Sequence, residues 1–216
     1  PQVGVHTIGA GGGSIARPVL GTLKVGPESA GAAPGPVCYG KGGEEPTGTD
    51  GAVALGYIDP EYFAGGEMTL HAEAATAAIQ AKVAEPLGLT RDAAALAILR
   101  VQAANIVTGI RKVSVEVGKD PRDFVLVPFG GAGGLYAGLV AEEAGMSKIL
   151  LPRHPSVLSA LGMLMTDVRH EAVRSFVHPI ASTTAEEVEA VFDVLVADAR
   201  EVAAKEGIPD SAISVI

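Results

Sequence analysis

Apolar residues at Ala94, Ile98, Val101, Ile106, Ile110, Val113 and Val117 recur at spacings of three to five. That spacing marks one face of a helix. With Thr90 as N-cap, it predicts a long helix to about Val117, although Gly109 lies inside it. The Ala-rich run HAEAATAAIQAKVA at 71–84 predicts a shorter helix, ended near Pro86 and Gly88. FVLVP at 124–128 is a continuous apolar run of the kind buried strands carry. GGAGG at 130–134 follows, then a helix from about 135 to Ala144 closed by Gly145. Lys148–Leu151 reads as a short strand, and Ser156 as the cap of a helix through Met165. VRHEAVRSFV, Val168–Val177, mixes polar and apolar positions as an exposed strand or ribbon does. Thr184 and Glu187 have capping-box spacing and open a helix ending at Gly207, before Pro209. The strand–loop–helix–strand order over 124–151 predicts an α/β fold.

Residues 9–66 follow a different rule. Glycine and proline dominate, yet Ile8, Ile15, Val19, Leu20, Leu23, Val25, Val37, Tyr39, Val53 and Leu55 are interleaved with them. Flexible linkers rarely carry so many apolar anchors, so short strands and tight ordered loops are expected. Composition therefore divides the chain into a glycine-rich part at 1–68, a helical and α/β part at 69–178, and a last helix with the start of a further segment at 179–216. No repeat of 20–50 residues occurs, which argues against a solenoid or propeller.

With 216 residues, 48% hydrophobic and 19% charged, the chain can bury a core and is not a disordered type. A net charge of -9 without a basic stripe argues against nucleic acid and anionic membrane as partners. No apolar run approaches the roughly 18 residues of a membrane span, and PQVGVHTIGAGGG is not a signal peptide. A single Cys permits no internal disulfide and favours a reducing, cytoplasmic setting. The missing initiator Met and the ending at SVI are expected of a fragment or processed chain.

Four stretches can carry chemistry. In FVLVPFGGAGG a strand runs into four glycines and a helix start. Such backbone can approach a ligand closely and offer free N–H groups. A tight strand–helix turn needs the same glycines, and the spacing is not the G-x-G-x-x-G of a dinucleotide site. GAGGGS at 9–14 is either a loop against a ligand, with Gly11, Gly12, Gly13 and Ser14 as anion contacts, or a hairpin turn. GPVCYGKG at 35–42 matches G-x-x-x-x-G-K through Gly35, Gly40 and Lys41, but Gly42 replaces the Mg²⁺-binding hydroxyl. Pro34 and Pro36 stand where a strand should lead in, and GGEEPTGTDG is not expected to form the helix that should follow, so a P-loop is rejected. Cys38 is a buried inert thiol or, with His6 or Lys41 beside it, a nucleophile. Asp50 in TGTDG either closes an Asx-type turn or holds a metal or substrate nitrogen. Among the five His, no pair has zinc-site spacing. His6 stands out because it abuts the first glycine block.

HTIGAGGGSIA (6–16), VGPESAGAAPGPVCYGKGG with EPTGTD (25–50), IRKVSVEVGKDPRDFVLVPFGGAG (110–133) and PSVLSALGMLMTDVRH (155–170) occur in that order. Together they resemble the hydantoinase/oxoprolinase family over nearly the whole chain. That family includes the A-type component of N-methylhydantoinase, ATP-dependent 5-oxoprolinase and subunits of ketone carboxylases. The resemblance implies part of an actin/hexokinase-like ATPase lobe, with ATP and Mg²⁺ as cofactors, another divalent metal being a further candidate. It implies a hydrolase that opens a cyclic amide after phosphorylating it, or a ketone carboxylase subunit. The implied partner is a hydantoinase B-type subunit, and the implied assembly is an oligomer.

By the same resemblance, Gly130, Gly131, Ala132 and Gly133 would contact the nucleotide, while His6, Asp50 and Cys38 would line the substrate pocket. The sequence also departs from the family pattern. Neither D-x-G-G-T phosphate hairpin occurs in it. Gly4 stands where the family usually has Asp, and Gly134 and Tyr136 replace the usual Pro and His. A tyrosine cannot do a histidine's acid–base work near pH 7. The chain is therefore expected to turn over no ATP alone and to be the C-terminal side of a longer subunit. Two other readings predict different behaviour: a non-catalytic assembly module, and a Cys38-dependent transferase.

Overall fold

The computed structural model describes residues 4–215. They form two compact units, with the boundary between residues 161 and 162.

In the first unit, β1 (Ser14–Val19) and β2 (Thr22–Ser29) form an antiparallel hairpin. Its two-residue tip, Leu20 at φ 51° and Gly21 at φ 78°, has positive φ at both positions, as right-twisted hairpins require. Ala16 faces Val25, and both are buried. Five helices follow: α1 (Gly48–Ala54), α2 (Ala72–Ile79), α3 (Glu85–Leu87), α4 (Arg91–Val113) and α5 (Gly133–Ala144). The helix expected over 71–84 runs on to Leu87, because a π-helical turn at Gln80–Ala84 carries it into α3. Gly88, at φ 64°, ends it.

α4 is the central element. Thr90 accepts a hydrogen bond from Ala93 N, as expected of its cap, and Arg111 and Lys112 sit in the last turn where the dipole favours cations. The helix ends four residues earlier than its apolar stripe implied, and Val115–Val117 continue as a 3₁₀ turn. Its buried face is also broader than that stripe. Ile98 packs with Ala16, Val25, Ile79 and Val83 on one side. Leu99, Ala103 and Val107 pack with Tyr136 and Val140 of α5 on the other. Val113 and Val117, which the stripe included, are exposed. By length and composition Arg91–Val117 could cross a bilayer, but α4 here is a core helix. Gly109 belongs in it for a steric reason: a Cβ there would lie 2.8 Å from Ile8 Cγ2.

Three sequence expectations change. Residues 124–128 and 148–151 form no regular strands; a single parallel bridge, Leu126 to Ile149, joins them, with Leu126 N bonded to Lys148 O and Leu150 N to Leu126 O. A bridge with no further strand beside it cannot build a ladder, and Val125, Val127, Leu150 and Leu151 are exposed. TGTDG, expected as an Asx-type turn or a ligand contact, begins α1, with Thr47 as N-cap and Asp50 closing a capping box. The compositional boundary near residue 68 does not divide the packing, since Asn105 Nδ2 of α4 donates to Val25 O of the hairpin at 3.0 Å. The fold is mixed α and β, with far more helix than strand among the described residues.

The division between the units falls inside α6 (Leu158–Met165), which a 3₁₀ turn at Pro155–Val157 precedes in place of a Ser156 cap. Residues 168–177 of the second unit have no strand pairing, so the expected ribbon is absent among the described residues. α7 (Ala185–Lys205) opens with the expected Thr184–Glu187 capping box. His170 Nε2 meets Glu206 Oε2 at 2.9 Å.

Two glycine substitutions should separate packing from propensity. Gly109→Leu is expected to cost roughly 1–3 kcal/mol by overpacking against Ile8. Gly138→Ala, where a Cβ meets nothing within 4 Å, is expected to gain roughly 0.5–1 kcal/mol. Urea denaturation of the two variants measures both.

Candidate functional site

The glycine turn at 11–14 is tied down on every side. Gly11 N donates to Ser14 Oγ at 3.0 Å, and Ser14 N returns a bond to Gly11 O at 3.0 Å. Thr49 N of α1 donates to Gly12 O at 2.7 Å, and Ala30 N to Gly13 O at 2.9 Å. Gln102 Nε2 of α4 also donates to Gly11 O. The carbonyls are thus consumed by the protein, while the Gly12 and Gly13 N–H groups have no acceptor among the described residues. A Cβ at 12 would lie 2.6 Å from Thr49 Oγ1, so any other residue there has to displace that hydroxyl.

The N-terminus of α1 is built around Asp50. Its Oδ2 accepts from Thr47 N at 2.8 Å, Thr47 Oγ1 at 2.8 Å and Val37 N at 3.2 Å, and its Oδ1 accepts from Cys38 N at 2.7 Å. The residue is fully buried. Thr47 Oγ1 accepts from Asp50 N in return, which completes a capping box. A sequence rich in glycine can begin a helix here because one carboxylate collects four donors. Cys38 is fully buried too, with Val53, Leu70 and Ala75. Burial pushes its thiol pKa up, and the Asp50 charge and a hydrogen bond to Asp50 push it further. Such a thiol is a poor nucleophile.

His6 stands apart. It is exposed, and no hydrogen bond joins it to Cys38 or Asp50 among the described residues. Cys38 and Asp50 are therefore in contact, but the group of three expected from sequence is not assembled. Lys41 is exposed and forms no ion pair among the described residues. In the stretch tested as a P-loop, residues 37–39 form a 3₁₀ turn closed by Gly40 at φ 65°, not a strand–loop–helix. No three His, Cys, Asp or Glu side chains converge as a metal site among the described residues.

The second glycine loop opens α5. Gly130, at φ 84°, donates its N–H to Pro155 O at 2.8 Å. A Cβ on Gly130 or Gly131 would meet nothing within 4 Å, whereas one on Gly133 would lie 3.6 Å from Pro128. Residues 130 and 131 thus border open space, and Gly133 packs. Ala132 is the N-cap of α5 and offers no side-chain cap; Leu135 N bonds back to Ala132 O, while the Gly133 and Gly134 N–H groups have no acceptor among the described residues. The two glycine loops meet here: a Cβ at Gly12 would lie 3.9 Å from Ala132 Cβ.

Two residues outside the expected site hold this junction together. Tyr136 Oη of α5 donates to Gln102 Oε1 at 3.0 Å, and Gln102 in turn holds Gly11 O. Both side chains are buried. Gly48 of α1 leaves them room, since a Cβ there would collide with Gln102 Oε1 and lie 2.5 Å from Tyr136 Oη. The signal was present: Gln102 is the one strongly polar side chain between Ile98 and Ala103 on the apolar side of α4. A buried amide is retained where it is fully bonded.

Asp50→Asn replaces an acceptor oxygen with an NH₂ that faces donors. Stability is expected to fall by roughly 2–5 kcal/mol, read as a lower urea midpoint. Tyr136 gives a pH signature. Burial pushes its pKa up from 10.0 to about 12, so folding favours the neutral phenol. Its contribution is complete below the unfolded value and is lost as pH rises between about 10 and about 12. Denaturation midpoints in that window should drop more steeply for the wild type than for Tyr136→Phe.

Residues 1–172 match the family profile described as Hydantoinase/oxoprolinase. The alpha subunit of the caprolactamase of Pseudomonas jessenii is 49% identical over 172 residues, which cover 79% of this chain and 25% of that one. 5-Oxoprolinase 1 of Arabidopsis thaliana is 32% identical over 231 residues, covering 99% of this chain and 18% of its own length. The crystal structure of the ATP-dependent caprolactamase of Pseudomonas jessenii superposes with a TM-score of 0.73, over 80% of this chain and 25% of that one. Nucleotide-free acetone carboxylase superposes with a TM-score of 0.77 at 26% identity, over 95% of this chain and 30% of that one. The chain thus spans about a quarter of the length of the caprolactamase chain it matches. The profile match over residues 1–172 and the 49% identity to the caprolactamase alpha subunit show that the chain belongs to the hydantoinase/oxoprolinase family.

Proposed function

We propose that this chain supplies the nucleotide side of an ATP-dependent enzyme that opens a cyclic amide of the lactam, 5-oxoproline or hydantoin type. The observation that carries the reading is the loop at 130–133, open at Gly130 and Gly131 and leading into an uncapped helix start. In that role Gly130, Gly131, Ala132 and Gly133 contact ATP, within a lobe of the actin/hexokinase-like kind. ATP would supply a phosphoryl group to the amide oxygen, activating the carbonyl carbon toward water; the C–N bond then breaks with the ring nitrogen as leaving group, and hydrolysis of the acyl phosphate releases phosphate. This chain's own part is to bind and orient, through backbone N–H groups that need no charged side chain. The turn Gly11, Gly12, Gly13 and Ser14 abuts that loop and offers the Gly12 and Gly13 N–H groups to an anionic or carbonyl oxygen.

Mg²⁺, expected to accompany ATP, would be held largely by the nucleotide's own phosphates and water. Asp50 has its oxygens committed to Thr47, Val37 and Cys38. In this proposal Asp50 and Cys38 support the site's architecture, and of the three side chains put forward for chemistry only His6 remains exposed to meet a substrate. A hydantoinase B-type subunit is the proposed partner, since relatives carry subunit names. A second reading, a ketone carboxylase subunit, is favoured by the 0.77 TM-score with acetone carboxylase and by 44% identity to the gamma chain of the acetophenone carboxylase of Aromatoleum aromaticum. Both readings share the nucleotide loop.

Gly131→Val tests that loop, because a Cβ at 131 meets no protein atom within 4 Å and residue 131 is exposed, so folding should be little changed. Calorimetric titration with ADP is expected to show binding by the wild type and a loss of at least about tenfold in affinity for the variant. Equal affinity, with both proteins equally stable, would place the nucleotide elsewhere.

A further inference from the structure

The buried side chains between the two glycine loops form a chain with a direction. Tyr136 lies one turn into α5, behind the loop at 130–133. Its hydroxyl donates to Gln102 Oε1, and the same amide donates through Nε2 to Gly11 O. Gly11 N and Ser14 N close the turn at 11–14 on themselves. The amide is therefore used at both ends: one end holds the 11–14 turn, and the other holds the first turn of α5, which follows the loop at 130–133. Gln102 comes from the middle of α4, so it has a rigid base. No other side-chain hydrogen bond links α5 to the 11–14 turn among the described residues.

We propose that Gln102 is a positioning residue that couples the two loops, so that a nucleotide settling against α5 also fixes the 11–14 turn. The proposal rests on the nucleotide reading above for its ligand, but not for its geometry. Three features favour coupling over simple packing. The Tyr136–Gln102 bond is buried and the Gln102–Gly11 bond is partly so, which limits competition from water. Gly48 leaves the space in which the Gln102 amide and the Tyr136 hydroxyl meet. The turn's remaining anchors, Thr49 N on Gly12 O and Ala30 N on Gly13 O, come from α1 and the end of the hairpin and carry no information from α5. The expected result is that filling the nucleotide loop further steadies the 11–14 turn, and with it the Gly12 and Gly13 N–H groups that face a substrate oxygen.

Hydrogen exchange on the whole chain decides this, with ADP as the probe. In the wild type, ADP should slow exchange of the Gly11 and Ser14 amides by about tenfold. In Tyr136→Phe, ADP should bind with an affinity within about threefold of wild type, yet the slowing should vanish. An undiminished slowing in Tyr136→Phe, or ADP binding that never reaches Gly11 and Ser14, overturns the coupling. A purely structural role would not produce that split between affinity and protection. If ADP does not bind the wild type, the nucleotide reading fails, and the nucleotide-free comparison settles the relay by itself. There Tyr136→Phe should speed exchange at Gly11 and Ser14 while leaving the Cys38 amide, held by Asp50, unchanged. Uniform acceleration of all three, or none, would refute it. Gln102→Met, which keeps the side-chain length and removes both bonds, should reproduce the Tyr136→Phe pattern.

Discussion

One buried carboxylate organises the glycine-rich part of the molecule. Asp50 gathers the N–H groups of Val37, Cys38 and Thr47 together with the Thr47 hydroxyl. A carboxylate taken out of water is costly unless such donors replace the solvent. Here they come from two segments that would otherwise have little reason to meet: the turn at 37–39 and the first turn of α1. Once α1 is started, Thr49 N is aimed at Gly12 O, and the first glycine turn acquires its position. The order of dependence runs from carboxylate to helix start to loop, and the open geometry at the loops follows from it.

Much of the helical framework was legible because it obeys periodicity. Thr90 and the Thr184–Glu187 box were placed by capping chemistry, and Gly145 and Gly88 by the left-handed conformation they adopt. α1 was not legible, because Gly48 reads as a helix breaker in a local window. Its reason lies in Gln102 and Tyr136, which are distant in sequence. The same holds for Gly109, whose neighbour Ile8 lies about a hundred positions away in the chain. A glycine chosen for close approach looks locally like a glycine chosen for flexibility. The strands at 124–128 and 148–151 failed for a different reason: apolar content signals burial between other elements, and here only one bridge forms.

The candidate site was half legible. Family resemblance marked both glycine loops, and the structure sets them side by side. Resemblance also grouped His6, Cys38 and Asp50, of which only the last two touch. Residue identity alone does not separate an acid that anchors a turn from one that faces a ligand; the donors around it do. Gln102 escaped notice because it belongs to no glycine motif, and Tyr136 drew notice only as a replacement for histidine. Each is a polar group in an apolar neighbourhood, and that is the physical signal both share.

The lone bridge between Leu126 and Ile149 has a colloidal consequence. On either side of it, backbone N–H and C=O groups are left without ladder partners, next to exposed Val125, Val127, Leu150 and Leu151. Unpaired strand edges with apolar flanks act as templates for other extended chains. A net charge of -9 keeps whole molecules apart at neutral pH, but that repulsion weakens as carboxylates take up protons or as salt screens them. Ionic strength and acidity thus set how readily this short apolar edge meets another extended chain.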